Sequence, residues 1–544
     1  MTGAECVAEA PRRGRRFEGR AIGTQDTAGG GNGPPPDSFI TGKSHVGSME
    51  SPRDPAVLRR SVLKATGAAG LAAAVPSAAA ADAATQEDGY EPTGRYDIPG
   101  AKELVTSDDG STAYVALTDG FAIFDLSDPS SPELVIEERG LSPDSESGPL
   151  EQIYDVKQDG DHMIVVGPAN SGNVSGFFTV DVSSPDDASV EEFYPTEFPI
   201  HNSFLHGSHA YLTGNDGQGN PMVVVDIESQ EEVGRWSQLE YDEGYGEVPP
   251  GRRSLHDIYV QDDRAYLAYW DSGTWIVDVS DPANPEYVTH FSDYSLSELR
   301  ESDSQLAGYE PEGNDHYVQP NADGTVVAVG GESWDINDNG SGGPSGIDFW
   351  DVSDPESPER LSTIEPEESE SNAYRGGTWT TSHNFDWVGD RLYTSWYNGG
   401  VKLFDVSDPA NPEELAWWRR PDETSFWTAQ AAVEGEFFAA TSLGTGLQNQ
   451  DAAAVFTFPD EAGDQSDPPS LAEDGSGSET TTTAMDDTTT MDDGTTTADD
   501  GEDGDGGSDD GGSDDDIDGG GMPGFGIGAA LAGLGLGLRR LRRD

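Results

Sequence analysis

The chain has 544 residues, which is enough for two or three ordinary domains or for one large repeat fold. It carries 103 acidic and 29 basic residues, and residues 86–459 alone hold 72 acidic against 15 basic side chains. This balance excludes nucleic acid as a partner, because phosphate binding needs a stripe of Lys and Arg. It also predicts the salt-adapted surface of a halophile, because concentrated salt screens the repulsion within so acidic a domain.

Residues 1–48 differ from the rest of the chain in charge. They carry six basic and five acidic side chains and are therefore nearly neutral. Met49 stands ten residues before Arg59, a normal distance between a translation start and the basic segment of an export signal. We expect residues 1–48 to be an over-extended start, with translation beginning at Met49.

An export signal is predicted over residues 49–84. A basic segment with Arg59 and Arg60 precedes a short apolar run, and Ala-x-Ala cleavage sites follow it. The arginine pair and the weak, Ala/Gly-rich run resemble a twin-arginine signal, which implies the twin-arginine translocase as a partner. A structural helix is the alternative. The single cysteine, Cys6, lies upstream, so the mature protein is expected to have no disulfide and no Cys-based metal site.

A repeat occupies residues 90–459. A hydrophobic run followed by Asp-Val-Ser-Asp-Pro, or by a variant of it, occurs six times, and its first acids are 56, 45, 52, 73 and 54 residues apart. Periods of this size with β-branched and aromatic runs predict the blades of a β-propeller. The phrase resembles the LVIVD repeat family, which is defined by the repeat and not by an agreed activity. We expect the repeated acids to anchor turns; they are Asp125, Asp181, Asp226, Asp278, Asp351 and Asp405.

A seventh blade is predicted from the two ends of the repeat region. Residues 428–441 and 453–458 supply three strands after the sixth blade, and a fourth strand is missing there. The segment Gly94–Ile98 precedes the first blade and has the composition of a strand. Pairing it into the last blade closes the ring and removes an exposed edge. The predicted fold is therefore an all-β, seven-bladed β-propeller.

Four of the nine histidines share one position in the repeat. His201, His256 and His383 each stand ten residues before a tyrosine, and His316 has the same offset to Val326. The corresponding positions in the other blades are Leu104, Tyr154 and Thr428. The position lies near the start of the innermost strand, so the imidazoles are expected to converge at the central channel.

Converging imidazoles have two interpretations. Neutral imidazoles suit copper or zinc as a cofactor, with His201, His256, His316 and His383 as the ligands. This arrangement resembles the methanethiol oxidase (selenium-binding protein) propellers, which implies an oxidoreductase. Alternatively, the histidines form hydrogen bonds between neighbouring blades.

A possible calcium loop lies in the fifth blade. Asp335, Asn337 and Asn339 place oxygen atoms at alternate positions before a glycine, as in the first half of a calcium-binding loop. The twelfth position is Gly346 instead of a glutamate. An ordinary Asn/Asp/Gly turn is the alternative.

The C-terminal part is predicted to be a stalk and an anchor. Residues 460–521 are rich in Asp, Gly, Ser and Thr and cannot form a core, so we expect a disordered stalk. In residues 522–544, Pro523, Gly524 and Phe525 precede a short apolar run and four arginines. This layout resembles the Pro-Gly-Phe (PGF-CTERM) sorting signal of salt-loving archaea. The resemblance implies an archaeosortase-like processing enzyme and a C-terminal lipid in the membrane. A permanent transmembrane anchor is the alternative.

Two functional hypotheses follow. The first is an exported protein on the extracellular face of the cell, anchored through its C-terminus, whose propeller binds a surface partner or a glycan. The second is an exported copper- or zinc-dependent oxidoreductase with its site at the propeller channel. No Gly-rich phosphate loop and no His-Glu-x-x-His zinc motif is present in the sequence.

Overall fold

The computed structural model describes residues 89–144, 146–301, 306–446 and 450–471. The predicted start, the export signal with Arg59 and Arg60, and the sorting signal with Pro523, Gly524 and Phe525 all lie outside the described residues. Within the described ranges, no helix is long and apolar enough to cross a membrane.

The described residues form seven β-sheets of four antiparallel strands, one of which gains a short fifth strand. The first strand of the chain, β1 (Gly94–Asp97), belongs to the seventh sheet. Blade 1 contains β2–β5 (Ala101–Thr106, Thr112–Leu117, Gly120–Asp125, Glu133–Arg139), and blade 2 contains β6–β9 (Asp155–Asp159, His162–Gly167, Gly176–Asp181, Ser189–Pro195). Blade 3 contains β10–β13 (Ser203–His206, His209–Thr213, Met222–Asp226, Glu231–Trp236), and blade 4 contains β14–β17 (Asp257–Gln261, Arg264–Ala268, Thr274–Asp278, Glu286–Phe291).

The remaining blades follow the same order. Blade 5 contains β18–β21 (Asp315–Pro320, Val326–Gly331, Ile347–Asp351, Glu359–Ile364), and blade 6 contains β22–β25 (Phe385–Val388, Arg391–Ser395, Val401–Asp405, Glu413–Trp418). Blade 7 contains β26–β28 (Phe426–Val433, Phe437–Ser442, Ala454–Pro459) and β1. Two short helices, α1 (Gln238–Tyr241) and α2 (Leu296–Glu301), lie in the loops that follow blades 3 and 4.

The first strands of successive blades contact one another in a closed circle, from β2 through β26 and back to β2. They are therefore the innermost strands of a β-propeller. The apolar clusters lie between neighbouring blades; in one of them, Val224 and Trp236 of blade 3 pack with Leu267 and Trp275 of blade 4. The predicted fold, an all-β propeller of seven blades, is confirmed.

Strand β1 closes the ring as predicted. It pairs antiparallel with β28, and the register runs from Gly94 opposite Thr457 to Asp97 opposite Ala454. The backbone N–H of Ile98 extends the pairing by donating to the carbonyl of Ala453 at 2.9 Å. The N-terminal segment thus covers an edge that would otherwise be open to other strands.

The ordered structure continues beyond residue 459, the predicted end of the propeller. Strand β29 (Gly463–Asp464) pairs in parallel with β25, the outermost strand of blade 6. This pairing makes blade 6 a five-stranded sheet with β29 at its edge. The carbonyl of Asp464 also accepts a hydrogen bond from the backbone N–H of Tyr90, at 2.9 Å. The described part of the predicted stalk, residues 460–471, therefore packs on the propeller.

The repeated aspartates anchor turns, as the sequence predicts. The carboxylate of Asp125 accepts a hydrogen bond from the backbone N–H of Ser127 at 2.8 Å, two residues later. The hydroxyl of Ser127, together with its backbone N–H, lowers the pKa of Asp125, because both hydrogen bonds favour the ionised carboxylate. The same contact, over two or three residues, occurs at Asp181, Asp226, Asp278, Asp351 and Asp405.

Candidate functional site

Each blade contributes one side chain to a ring around the propeller axis, at or just before the start of its innermost strand. We call this set the axial ring. Neighbouring imidazole centroids in it are 4.5, 3.9 and 4.5 Å apart. The ring closes through Trp427 and Lys102. The ring centroid of Trp427 lies 4.2 Å from that of His383 and 4.6 Å from the ammonium nitrogen of Lys102. In blade order the axial ring is Lys102, Tyr154, His201, His256, His316, His383 and Trp427.

The four histidines converge as predicted, whereas two other predicted positions differ by one or two residues. Lys102 occupies the place expected for Leu104, and Trp427 the place expected for Thr428. Both innermost strands contain a register irregularity at this point, in β2 between Ala101 and Leu104 and in β26 between Phe426 and Thr428. A bulge adds a residue without a partner, so the counting of the sequence repeat fails there.

Three histidines are held through Nδ1. Nδ1 of His201 lies 3.1 Å from the carbonyl oxygen of Ala169, and Nδ1 of His256 lies 3.1 Å from that of His316. Nδ1 of His383 lies 2.5 Å from the carbonyl oxygen of Trp427. Nδ1 of His256 also lies 3.4 Å from the side-chain nitrogen of Asn202. A carbonyl only accepts, so a contact to a carbonyl alone places the proton on Nδ1, as in His201 and His383. Such a backbone contact is typical of metal-binding histidines.

Burial keeps the imidazoles neutral. It lowers the pKa of His201 to about 4 and that of His383 to about 3. It also holds the pKa values of His256 and His316 well below the ordinary value, and neighbouring imidazoles reinforce the effect. The neutral ring is the form that binds a metal ion.

Glu332, which follows β19 in blade 5, joins the histidines. Its Oε2 lies 3.4 Å from Nε2 of His316, and its Oε1 lies 3.9 Å from Nε2 of His383. The hydroxyl of Tyr397 donates to Oε1 at 2.5 Å. Burial raises the pKa of Glu332 to about 8. Sequence analysis missed this residue, because it lies in a loop and outside the register shared by the histidines.

His256, His316 and Glu332 form the one group in the described part of the chain with metal-site geometry. One ligand atom from each lies within 4.8 Å of the others, and all three residues are buried. Imidazole nitrogen with carboxylate oxygen suits zinc or copper. Three protein ligands leave a coordination position open, as in catalytic zinc sites.

Aromatic side chains cover one side of the axial ring. Trp379 lies 5.3 Å from Tyr374, from Tyr397 and from Trp334, measured between ring centroids. These rings exclude water and lower the local dielectric, which strengthens electrostatic interactions beneath them. Trp379, Tyr374 and Tyr154 remain partly exposed, so solvent comes closest to the site at this side.

A buried group of charged residues lies one to three residues after the axial-ring positions of blades 1 and 2. The ammonium of Lys157 pairs with the carboxylate of Asp155, which also accepts from the hydroxyl of Ser203 at 2.6 Å. Glu103 accepts from the side chain of Asn384 at 2.6 Å, and burial raises its pKa to about 7. Sequence analysis did not single out these residues, which link the innermost strands of different blades.

The predicted calcium loop is a hydrogen-bonded turn. The carboxylate of Asp335 accepts from the backbone N–H groups of Asn339 and Gly340, at 3.1 and 2.5 Å. The side-chain oxygen of Asn339 accepts from the backbone N–H of Ser341, and the side-chain amide of Asn337 donates to Glu310. The oxygens of Asp335 and Asn339 are thus engaged by backbone donors, which favours the ordinary turn over a calcium site.

One family model and several solved structures are similar to this chain. A model of the LVIVD repeat matches residues 109–137 and 252–293, in blades 1 and 4. Similar solved structures include the β-propeller domain of Cps50 (Swd1) from Myceliophteria thermophila, 11% identical with a TM-score of 0.46, covering 68% of this chain and 99% of that chain. Another is U3-55K, 10% identical with a TM-score of 0.46, covering 68% and 98%. A search of curated proteins found no match. The chain contains LVIVD repeats within a seven-bladed β-propeller.

Proposed function

We propose that the propeller binds one copper or zinc ion at its axis, with His256, His316 and Glu332 as ligands. The observation that supports this proposal is the convergence of their ligand atoms within 4.8 Å in a buried, neutral-imidazole site. His201 and His383 flank the site in the axial ring. The ring centroid of each lies 4.5 Å from that of a ligand imidazole, His256 and His316 respectively. When bound there, copper would supply one-electron chemistry and zinc would supply Lewis-acid chemistry.

Hydrogen bonding between blades accounts for only part of this arrangement. The Nδ1 contacts of His201, His256 and His383 all reach carbonyl groups of neighbouring blades, so the structural interpretation explains one edge of each ring. It leaves Oε2 of the buried Glu332 without a hydrogen-bond partner among the described residues, 3.4 Å from Nε2 of His316. Burying a polar atom costs free energy unless it is hydrogen-bonded or binds a metal, and Tyr397 satisfies only Oε1, so Oε2 favours the metal site.

Metal analysis of the purified propeller tests the proposal. After expression in metal-replete medium and purification in molar salt, we expect close to one copper or zinc ion per chain. The double substitution His256→Ala and His316→Ala should remove it. His206→Ala with His209→Ala is the matched control, because these two histidines lie opposite each other at the turn between β10 and β11. A parent protein without stoichiometric metal, or equal loading of both variants, contradicts the proposal.

A separate observation favours the binding of a surface glycan. Tyr241 and Tyr287 are 48% and 37% exposed, with ring centroids 4.4 Å apart. Tyr241 borders a cleft of about 540 Å³ whose lining includes Tyr245, Trp350 and Ser295. Exposed aromatic faces beside hydroxyl and carboxylate groups suit a sugar, which presents both an apolar face and hydroxyl groups. We propose this cleft as the binding site of an uncharged glycan, because the acidic surface repels anionic ones.

Glycan binding is tested with the tyrosine pair. Tyr241→Ala with Tyr287→Ala should abolish retention on neutral polysaccharides, and should leave metal content unchanged. Val135→Ala with Val190→Ala is the control, because these valines are similarly exposed on other blades. Retention of the tyrosine variant equal to that of the parent contradicts the glycan site.

We further propose that the twin-arginine translocase exports the chain and that a C-terminal lipid holds it on the extracellular face. Arg59 and Arg60 support the first step, and Pro523, Gly524 and Phe525 with the following apolar run support the second. Mass spectrometry of the surface form should then find no peptide from residues 525–544 and a lipid on the new C-terminus. An intact arginine-rich C-terminal peptide on the surface form would instead indicate a permanent transmembrane anchor.

A further inference from the structure

Lys102 is a buried cation in the axial ring without a polar partner. Its side chain is 0% exposed, and its Nζ has no hydrogen-bond partner among the described residues. The ammonium lies 4.8 Å from the ring centroid of Tyr154 and 4.6 Å from that of Trp427. Cation–π contacts offset part of the cost of burial. They do not replace hydrogen-bond acceptors for three N–H donors.

No carboxylate offsets the charge of Lys102. Burial alone lowers its pKa to about 7, whereas Lys157 nearby keeps a raised pKa through Asp155, Glu103 and Asp257. Glu103, the next residue after Lys102, instead binds Asn384 and Thr428. The lysine thus retains donors that point to an acceptor from outside the chain.

The order of the axial ring sets Lys102 opposite the proposed metal ligands. Passing through Tyr154 and His201, the third residue from Lys102 is His256. Passing the other way through Trp427 and His383, the third residue is His316. Lys102 and the ligand pair therefore face each other across the axis.

Charge balance calls for an anion in this space. A divalent ion bound by the carboxylate of Glu332 and two imidazoles leaves one positive charge, because a histidine ligand is neutral. Protonated Lys102 adds a second positive charge in a buried site. Uncompensated buried charge destabilises a fold, so a small anion that enters the ring would be stabilised both by the metal ion and by Lys102.

We propose that the axial ring binds a small monoanionic ligand, which fills the open coordination position of the metal and has Lys102 as its counter-charge. The inference rests on the proposed metal site and adds to it the class of ligand. Carboxylates and other small anions with an oxygen or nitrogen donor fit this chemistry. Neutral donors lack the interaction with Lys102.

Azide binding to the copper-loaded protein tests the inference. The titration follows the azide-to-copper charge-transfer absorption at pH 6, in sodium sulfate, which screens the acidic surface and coordinates weakly. Lys102→Met should keep full copper loading and bind azide at least tenfold more weakly than the parent. Lys402→Met is the matched control and should leave azide affinity unchanged, because Lys402 is a buried lysine paired with Glu367 and Glu414 in blade 6.

The outcomes separate the inference from the proposed metal site. Copper-loaded Lys102→Met protein that binds azide as tightly as the parent overturns the inference and leaves the metal site standing. A parent protein that takes up no copper overturns both. If Lys102→Met does not fold, azide is compared on the parent with pyridine, which is mostly uncharged at pH 6. Tighter binding of azide supports the inference, and equal or tighter binding of pyridine overturns it.

Discussion

Burial sets the protonation of the axial residues in opposite directions. It raises the pKa of the Glu332 carboxyl to about 8 and lowers that of the His201 imidazole to about 4, because each group loses hydration in its charged form. At neutral pH both groups are therefore uncharged in the metal-free protein. A metal ion must displace the proton of Glu332, whereas the histidines are ready to bind.

Metal binding should release a proton from Glu332. Its pKa of about 8 means that the metal-free protein holds this proton at pH 7, and a cation favours the carboxylate. Calorimetry at pH 7 in two buffers of different ionisation enthalpy should show about one proton released per metal ion. Glu332→Gln should release none and bind metal at least tenfold more weakly, whereas Glu310→Gln should behave like the parent. Equal proton release from parent and Glu332→Gln would assign the proton to another group.

The same shift gives the pH dependence of the metal-free fold. A carboxyl with a raised folded pKa adds stability below its unfolded value of 4.5, and that stability is lost as the pH rises through about 8. The histidines change the stability at the acidic end of the pH range. Their lowered pKa values add stability above 6.5, which is lost as the pH falls towards about 4 for His201 and about 3 for His383. Metal ligation opposes the loss at high pH, because it favours the carboxylate of Glu332.

The sequence predicted part of the site, namely the convergence of the four histidines. It could do so because those four residues keep a constant offset from the second strand of each blade. Lys102 and Trp427 were not predicted from the sequence, because bulges in their strands change that offset. Glu332 was not predicted for a different reason. It lies in the loop after β19, and the periodicity of strands carries no information about loops.

At the scale of the elements, the repeat phrase determines how each blade turns. The phrase ends the third strand with an aspartate whose carboxylate binds the backbone N–H of a serine two or three residues later. This local contact makes each blade recognisable in one sequence. Strand β29 has no such mark, because a parallel pairing of two polar residues leaves no hydrophobic pattern.

Closure of the ring should depend on the fit of β1 against blade 1. A Cβ at Gly94 would meet the carbonyl oxygen of Pro129 at 2.3 Å, the ring of Pro132 at 2.7 Å and the hydroxyl of Thr457 at 2.9 Å. The backbone carbonyl of Pro129 and the rigid ring of Pro132 cannot retreat cheaply, so Gly94→Val should destabilise the propeller by about 1–3 kcal/mol, the usual cost of overpacking. Thermal unfolding in molar salt measures the loss.

Gly343→Ala is the matched control for Gly94→Val, because a Cβ at Gly343 meets nothing within 4 Å. Deleting Tyr90–Ile98 should have a larger effect and expose β28 as an aggregation-prone edge. A deletion variant that stays monomeric with the unfolding temperature of the parent would show that β1 is dispensable for closure.

At the scale of the whole molecule, repulsion among the acidic side chains opposes folding at low salt. Residues 86–459 carry 72 acidic and 15 basic side chains, a balance of 57 negative charges. Many of the acids lie on the outermost strands, where every second side chain or more is exposed, as in β5 and β9. Compaction brings these charges together, and only counter-ions can screen them.

The unfolding temperature should therefore fall steeply as salt is withdrawn. The Debye length grows from about 3 Å at 1 M to about 10 Å at 0.1 M, so repulsion between neighbouring strands returns over this range. Salt also strengthens the burial of apolar groups, and the two causes must be separated. Replacing Glu133, Glu138, Glu191 and Glu192 on β5 and β9 by Gln changes the exposed charge without touching the core. If screening dominates, this variant should be more stable than the parent at 0.1 M salt and equal to it at 3 M. Salt curves for the two proteins with the same slope would assign the effect to apolar burial instead.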